Sequence, residues 1–495
     1  MKQPLNKFFL KDPLKWQFWV LVAFLCKALF FIFQLYRNDL HPLPGFIGVV
    51  TGDAPTYFDP IDDLVANSSY SPDFRMPGYG ILYLPFAFLF SKAVAYNILI
   101  VIQLILASIS IYLLALIAKY LFRSSAIFYL TFYFYAISTY TSLFDPALYT
   151  ESFATSFLIL AVFYLLKTLE HESKRPLNIF LSGIFLTEVI FLRPVFMPLV
   201  ILFSAVLFAY YCRQHQIKNA FSKLFIVLLP FLVCEGAWIT RNFIRHNKFI
   251  PATTSLYYPE IQNSIYMPFF TLVGAWGGSD QHWDPGTDIR WFGLMDDTHT
   301  ILDTTNARLP DYIYTSQFNR DSLVILKKQL AIYLSDEFNP NADSTKTKQL
   351  FAAINAKCLL YASSIKHEKP FLYYVKAPLM RTKCFLMHSG TYNLFRTATN
   401  KLSLLPYSIK LFYSILYLLI IGFGIIGILL LSRRSLMLMP VLITTCIVVY
   451  TVLIHPIILG KCEKRYFVPA YPFMLLCATY AITWIYNKIS GRAIN

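Results

Sequence analysis

The stretch Thr51–Tyr79, TGDAPTYFDPIDDLVANSSYSPDFRMPGY, separates two of the most apolar runs of the chain. It contains five Asp and one cation, Arg75. The runs on either side, at 16–35 and 95–118, reach the roughly 20 apolar residues that a helix needs to cross a bilayer. A polar, acidic segment between two such runs must lie at a water interface. It is therefore the first place to look for chemistry.

Composition places the rest of the chain in the membrane. Of 495 residues, 57% are hydrophobic and only 14% are charged, with a mean hydropathy of +0.52. Soluble domains carry about 25% charged residues. The formal charge of +16 does not indicate nucleic acid, because no basic run is interleaved with exposed aromatic residues. We therefore expect a polytopic membrane protein that contacts membrane lipids and no nucleic acid.

About ten apolar runs are long enough, or nearly long enough, to span the membrane as helices. They lie at 16–35, 95–118, 124–141, 151–167, 177–192, 195–211, 222–239, 406–431, 436–456 and 467–486. The fold class predicted from them is an all-α polytopic membrane protein of about ten transmembrane helices.

Charges in the short loops predict the orientation, since Lys and Arg favour the cytoplasmic side. They place both termini in the cytoplasm if ten spans are present. The predicted organisation is a transmembrane catalytic module at 1–240 with its first outer loop at 36–94, an extracytoplasmic cap at 241–405, and C-terminal transmembrane helices at 406–495.

Two outer regions have structure of their own. The run GILYLPFAFLF at 80–90 is too short to span and predicts a helix lying along the interface. The cap is rich in aromatic residues, so we expect a folded, mixed cap with helices near 317–333 and 348–364. A disulfide between Cys358 and Cys384 is one alternative there. His282 and His299 lack a third ligand at metal-binding spacing, so they predict no zinc site.

Asp53 and Arg75 are the charges of the acidic stretch that suggest chemistry. A carboxylate at a membrane surface can serve as a general base, and an arginine fork can bind a phosphate. The alternatives are a solvated loop acid and an arginine that reaches the lipid headgroups. The remaining acids are expected to be solvated or to cap helices: Asp59, Asp62, Asp63 and Asp73.

Asp145 and Glu151 flank another outer turn, DPALYTE. They can orient an acceptor or hold a divalent cation, whose presence the sequence leaves open. Alternatively, Thr150 caps a helix and Glu151 favours its dipole. Three ionisable residues fall inside spans and predict either function or buried pairing: Lys27, Glu188 and Glu235.

Together these residues resemble the C-type glycosyltransferases, membrane-integral enzymes that use polyprenyl-phosphate-linked sugars. The resemblance is to the branch that contains the protein O-mannosyltransferases and the bacterial aminoarabinose and lipopolysaccharide-core transferases. It rests on five motifs: Gly52-Asp53, Arg75-Met76-Pro77-Gly78-Tyr79, Arg193-Pro194, Trp238-Ile239-Thr240-Arg241-Asn242 and Arg465-Tyr466. Many members have Asp-Glu in the first loop, whereas Ala54 follows Asp53 here, which leaves Asp145 or Glu151 to supply the second acid.

The resemblance implies transfer of a hexose or pentose, with inversion, from a polyprenyl phosphate to a lipid, glycan or protein acceptor outside a bacterial inner membrane. Its expected catalytic residues are Asp53, Asp145 and Glu151. Cations expected to bind the donor phosphate are Arg75, Arg193, Arg241, Lys464 and Arg465. Residues expected to contact substrate are Tyr57, Tyr79, Asn242 and Tyr466. The alternatives are a polytopic transporter or flippase, an oligosaccharide ligase of similar fold, and a non-catalytic relative.

Overall fold

The structure is a computed structural model. It describes residues 13–37, 43–71, 73, 75–170, 175–253, 266–278, 311–337, 342–395, 399–435 and 439–491. The histidines His282 and His299, and most of the turn-rich sequence around them, lie outside these described residues.

The described residues are mostly helical. In the first half of the chain the helices are α1 (Pro13–Arg37), α2 (Ala54–Asn67), α3 (Gly78–Leu89), α4 (Lys92–Phe122), α5 (Ser125–Ala136), α6 (Thr139–Ser142), α7 (Thr150–Glu170), α8 (Arg175–Leu192), α9 (Leu199–Arg213) and α10 (Ile217–His246). Among the residues that the structure describes, an isolated parallel β-bridge joins Val49 and Ala147.

The second half continues in the same way. Its α-helices are α11 (Tyr266–Ala275), α12 (Arg320–Glu337), α13 (Ser344–Glu368), α14 (Ala377–Met387), α15 (Leu404–Ser435), α16 (Met439–Val452) and α17 (Tyr471–Ile489). Two π-helical turns occur, at Leu372–Lys376 and Leu453–Ile458. Short 3₁₀ turns lie at Pro194–Phe196, Asp311–Ile313, Thr391–Leu394, Thr399–Lys401 and Lys464–Phe467.

The predicted fold class is confirmed: the chain is an all-α polytopic membrane protein. Among the described residues, seven helices are long and apolar enough to cross a membrane by length and composition. They are Trp16–Leu35, Lys92–Phe122, Thr150–Leu169, Pro194–Arg213, Ile217–His246, Leu404–Arg433 and Val441–Ile458. The three other predicted runs, at 124–141, 177–192 and 467–486, overlap α5, α8 and α17, which fall outside that set.

The helix predicted between the first two spans is also present. It is α3, and its 12 residues extend about 18 Å at 1.5 Å per residue, too short to cross the bilayer. Pro77 directly precedes this helix, and Pro85 lies inside it.

Compact packing divides the chain into two units. The first contains residues 1–257, 389–449 and 468–495, and the second contains 258–388 and 450–467. In the first unit α4 packs against α1, α3, α5 and α7, and α8 packs against α7 and α10. The helices α15 and α17 meet at Gly427, where a Cβ would lie 2.0 Å from the Cys477 carbonyl oxygen, so only glycine permits this approach. The predicted domain boundaries at 240 and 405 stay a prediction.

The second unit has its own hydrophobic core. Trp276 and Phe318 stack with ring centroids 5.8 Å apart, and the buried side chains of Leu326, Ile354 and Ile365 surround them. The helices predicted near 317–333 and 348–364 are α12 and α13, which supply much of this core.

The disulfide alternative is wrong, because Cys358 and Cys384 are both free thiols. Cys358 is fully buried in the core of the second unit. The thiol of Cys384 is instead hydrogen-bonded to that of Cys462, which lowers the pKa of Cys384.

Candidate active site

Two loops that are far apart in sequence are joined by backbone hydrogen bonds. Val49, in the loop after α1, donates its N–H to the Pro146 carbonyl at 2.8 Å and accepts the Leu148 N–H at 3.0 Å. The Thr51 hydroxyl donates to the Leu148 carbonyl, also at 3.0 Å. The start of the acidic stretch is thereby fixed beside the loop that leads from α6 to α7.

Asp53 directly precedes α2, where an aspartate usually accepts a hydrogen bond from the first turn of the helix. Its side chain makes no such capping bond. Instead its Oδ1 lies 3.7 Å from Nη2 of Arg75, and the two side chains are 29% and 37% exposed. The carboxylate is thus available to solvent and paired with a cation from the far end of the acidic stretch.

Tyr57, in the first turn of α2, lies among four charged side chains. The guanidinium carbon of Arg75 is 4.9 Å from its ring centroid. Burial raises the pKa of Tyr57, Arg75 and Arg193 lower it, and Glu151 and Asp53 raise it. Because charge effects weaken with distance, the predicted residues Asp53, Arg75, Glu151 and Arg193 all lie close enough to Tyr57 to act on its pKa.

Glu151 and Arg193 form a buried ion pair within this group. Glu151 lies in the first turn of α7, and Arg193 directly follows α8. Arg193 Nη1 donates to Glu151 Oε1 at 2.6 Å, with side chains only 9% and 2% exposed. The predicted place of Glu151 at a helix N-terminus is confirmed, and it coexists with the ion pair. We call Asp53, Tyr57, Arg75, Glu151 and Arg193 the Asp53 cluster.

The RMPGY motif brings Arg75 to the end of α8. Met76 packs in a small buried group with Phe191 and Trp238. A Cβ on Gly78 would lie 2.6 Å from the backbone carbonyl carbon of Phe191, so the close contact of this turn with α8 requires glycine. Arg75 and Arg193 therefore reach the same place because their backbones are packed together.

Tyr79 links the cluster to the loop before α7. Its ring lies 5.7 Å from that of Tyr57, and its hydroxyl donates to Gln103 Oε1 at 2.7 Å. The Gln103 amide in turn donates to the carbonyls of Asp145 and Ala147. Sequence reasoning missed Gln103, although a polar side chain inside the apolar run 95–118 was a signal that it has a buried partner. The predicted contact of Tyr79 with substrate stays a prediction.

Asp145 is enclosed by protein. Its Oδ2 is 2.7 Å from Lys27 Nζ, and its Oδ1 accepts the Ser152 hydroxyl at 2.7 Å. Lys27 also donates to the Ser142 hydroxyl at 2.9 Å. Both charged side chains are at most 4% exposed. For Lys27 the predicted alternative of a buried pair is confirmed, and the carboxylate of Asp145 points to this pair rather than to solvent.

The other ionisable residues predicted within spans have separate surroundings. Glu235 Oε1 accepts the backbone N–H of Ala252 at 2.7 Å, which fastens the segment after α10 onto that helix. Glu188 lies in α8. Neither residue belongs to the Asp53 cluster.

Arg241 contacts Asp73 rather than Asp53. The expectation that Asp73 is solvated or caps a helix is wrong, because its side chain is 1% exposed and surrounded by cations. Arg241 Nη1 lies 2.5 Å and His246 Nε2 lies 2.8 Å from its Oδ2, with Arg245 Nε at 3.4 Å. Sequence placed Arg241 at the end of a span, whereas α10 continues to His246. Asn242 is buried and donates to the Ile250 carbonyl at 3.1 Å.

Three of the predicted site residues belong to the second unit: Lys464, Arg465 and Tyr466. Arg465 Nε and the Tyr466 hydroxyl donate to the carboxylate of Glu463 at 2.5 and 3.2 Å. The Tyr466 ring stacks on His455, with centroids 4.8 Å apart. Burial lowers the pKa of Lys464 to about 7. Glu463 was not singled out in the sequence, although it stands inside the basic run GKCEKRY.

A metal site is not evident in the part of the chain that the structure describes, since no group of three His, Cys, Asp or Glu side chains there is arranged to hold an ion. The Asp53 cluster offers a partly exposed carboxylate that can accept a proton and a neighbouring arginine that can bind an anion.

No family model and no curated protein matches the sequence. Three solved structures show limited likeness. The archaeal oligosaccharyltransferase AglB from Archaeoglobus fulgidus, in complex with an inhibitory peptide and a dolichol-phosphate, gives a TM-score of 0.47 at 11% identity, over 97% of this chain and 51% of that one.

The oligosaccharyltransferase of the same organism, tethered to an acceptor peptide, gives 0.43 at 12% identity over 96% of this chain and 50% of that one. Its apo form gives 0.42 at 11% identity over 97% and 52%. This chain therefore spans about half the length of the proteins it matches. Likeness at this level assigns no activity, which has to be argued from the residues of the chain itself.

Proposed function

We propose that the protein is a membrane-integral glycosyltransferase that moves one sugar from a polyprenyl-phosphate donor to a hydroxyl or amine acceptor on the extracytoplasmic side of the membrane. The observation that carries the proposal is the Asp53 cluster. Residues from four separate parts of the sequence meet next to helices of membrane-crossing length, and they combine a partly exposed carboxylate with two arginines.

The donor suits this site because its polyprenyl chain is compatible with the bilayer and its phosphate with the Arg75 guanidinium. A polyprenyl chain is soluble in the bilayer, so the donor arrives through the membrane and needs no nucleotide-binding loop. Its phosphate carries a negative charge, for which the planar guanidinium of Arg75 is a strong partner. The contact between Arg75 and Asp53 is long, at 3.7 Å, and partly exposed, so an incoming phosphate can replace the carboxylate without leaving a buried charge unpaired.

The reaction follows from this exchange. The acceptor O–H or N–H loses its proton to Asp53 while its heteroatom forms a bond to the anomeric carbon. The bond between that carbon and the phosphate oxygen breaks, and the electron pair stays on the phosphate. The leaving polyprenyl phosphate gains one negative charge, which Arg75 stabilises more strongly than the charge of the bound donor. A single displacement of this kind inverts the anomeric centre.

The buried residues of the cluster position the reacting groups. The ion pair of Glu151 with Arg193 holds the ends of α7 and α8 together beside Tyr57. Tyr57 in turn lies against the Arg75 guanidinium and limits its orientation. In this proposal Asp145 acts through its ion pair with Lys27 and through its carbonyl, which fix the loop that carries Glu151.

The remaining predicted residues have distinct places in the proposal. Arg241 fixes the first loop through Asp73, while Tyr79 and Asn242 support the loops beside the cluster. Contacts of Lys464 and Arg465 with a donor phosphate, and of Tyr466 with substrate, stay predictions for the second unit. Membership of the O-mannosyltransferase and aminoarabinose transferase branch, a bacterial inner membrane and cytoplasmic termini belong to the same proposal.

The test is a donor panel. Purified protein in lipid vesicles is given radiolabelled polyprenyl-phosphate hexoses and pentoses with lipid, glycan or peptide acceptors. Labelled product and free polyprenyl phosphate should appear in equal amounts for at least one donor, and Arg75→Gln should raise the donor KM. Absence of transfer from every donor, together with counterflow of a solute in the same vesicles, would instead establish a transporter. Transfer only from diphosphate-linked oligosaccharides would establish a ligase.

A further inference from the structure

One helix of the second unit exposes a large apolar face. The face is carried by the π-helical turn Leu372–Lys376 and by α14, which continues it without a break. Its apolar side chains recur at helical spacing, and their exposed fractions are 70% for Phe371, 58% for Tyr374, 64% for Leu379 and 50% for Met387. An apolar stripe of this length exposed to water usually marks an interaction surface.

The opposite face of the same helix is already used. Phe385 is fully buried, and its ring lies 5.5 Å from that of Phe467. Arg381 is also buried and donates to the Pro456 carbonyl at 2.8 Å and to the Gly274 carbonyl. The exposed stripe is therefore a second apolar face, and the folding of the unit does not require it.

The exposed face is bordered by cations. Residues 366–383 include four lysines and Arg381, with Glu368 as the one acid. Lys366 Nζ lies 6.0 Å from the Tyr374 ring centroid, and Lys376 Nζ lies 3.6 Å from that of Tyr312. Lys383 is exposed between Leu379 and Met387 on the same side of the helix. Lysines beside exposed aromatic residues are typical of helices that lie at a lipid surface.

The position of this helix along the chain points to the same partner. Its buried face contacts residues 455 and 456, and the Phe385 ring lies 5.8 Å from His455. These residues form the end of the membrane-crossing helix Val441–Ile458. The three side chains that follow, Ile457, Ile458 and Leu459, are 39%, 68% and 50% exposed. The helix is thus attached to the end of a helix that is long and apolar enough to cross a membrane.

We propose that the face formed by Phe371, Tyr374, Val375, Leu379 and Met387 is inserted into the lipid leaflet at the end of the span Val441–Ile458. Lys366, Lys376 and Lys383 then lie at the level of the anionic lipid phosphates. A lipid surface accounts for the apolar stripe, the excess of cations and the attachment to the end of a span together. The interfacial position also keeps the neighbouring segment with Lys464 and Arg465 at the depth of lipid phosphates, independently of the proposed reaction.

The proposal is tested by photo-crosslinking in vesicles. Phe371 or Leu379 is replaced by a benzophenone-bearing phenylalanine analogue, and the purified full chain is reconstituted into phosphatidylcholine vesicles with or without phosphatidylglycerol. Both positions are exposed, so the replacements leave the core of the unit intact. Lys346, whose side chain is 82% exposed at the start of α13, is the matched control position. Illumination should add the mass of a lipid at positions 371 and 379 and not at position 346.

The contribution of the lysines is measured in the same assay. The double substitution Lys366→Gln/Lys383→Gln should lower the yield of phosphatidylglycerol adducts at position 379 while the yield of phosphatidylcholine adducts changes little. Adduct yields at 371 and 379 no higher than at 346 would overturn the proposal, because the face would then be in water. A crosslink to a second copy of the chain in place of lipid would also overturn it.

Discussion

At the scale of single residues, Lys27 and Asp145 show how a buried charge depends on its partner. The two groups are 2.7 Å apart and almost fully enclosed. Removing one member of a buried pair leaves the other uncompensated, which costs about 3–5 kcal/mol. We therefore expect Asp145→Asn to lower the free energy of unfolding by about that amount, measured by denaturant unfolding in detergent.

A second variant distinguishes a structural from a catalytic role for Asp145. The substitution Lys27→Met/Asp145→Leu removes both charges and should recover most of the lost stability, because apolar replacements of buried pairs are often neutral. If Asp145→Asn unfolds like the wild type but no longer transfers sugar, Asp145 takes part in the chemistry and the structural assignment is wrong.

Lys464 gives a prediction of pH dependence. Burial lowers its pKa to about 7, so its ammonium loses a proton as the pH rises through that value. If the donor phosphate contacts Lys464, it favours the charged form, so above pH 7 donor binding must take up a proton. Donor affinity should therefore fall above about pH 7, by at most about tenfold per pH unit.

This dependence is measured as the donor Kd between about pH 6 and pH 9, a range that brackets the lowered pKa. Lys464→Met should bind more weakly at pH 6 and lose the slope above pH 7. Lys346→Met, at an exposed position, should keep the wild-type profile. A wild-type affinity that is constant across the range would show that Lys464 does not contact the phosphate.

At the scale of structural elements, Asp73 fastens the first loop to the end of α10. It is the shared partner of Arg241, Arg245 and His246, which lie 168 to 173 residues away in sequence. Hydrogen bonds to charged groups contribute about 1.5–3 kcal/mol each. Asp73→Asn is therefore expected to destabilise the protein by about 1.5–3 kcal/mol or more, seen as a lower thermal unfolding midpoint.

Asp63→Asn is the matched control for this prediction. Asp63 belongs to the same acidic stretch but is partly exposed on α2, where it accepts a hydrogen bond from the Asn67 amide at 2.8 Å. Its replacement should change the unfolding midpoint little. Equal midpoints for the two variants would mean that Asp73 does not hold the loop.

The same pair of residues shows what could be predicted from sequence. The helices were predictable, because a continuous apolar run of sufficient length is enough to indicate a helix buried in lipid. The burial of Asp73 was not predictable, because its partners Arg241, Arg245 and His246 belong to a helix that is distant in sequence. Gln103 was overlooked for the same reason, since its partners are carbonyls in the loop 145–147.

At the scale of the whole molecule, the fold brings residues from separate loops together in the Asp53 cluster. Asp53, Arg75, Glu151 and Arg193 were singled out by motif and by their expected side of the membrane, and the structure brings them around Tyr57. Sequence also grouped Arg241 with them, but the backbone directs it to Asp73. A shared side of the membrane limits where a residue lies, whereas its partner is decided by helix packing.

The measurement that tests the central claim most directly is the single-turnover rate of sugar transfer with saturating donor in Asp53→Asn. This change keeps the shape of the side chain and removes its ability to accept a proton. If Asp53 is the base, the rate should fall about 10²- to 10⁴-fold, while Asp63→Asn should transfer at the wild-type rate. Transfer by Asp53→Asn at the wild-type rate would contradict the assignment of the Asp53 cluster as the catalytic site.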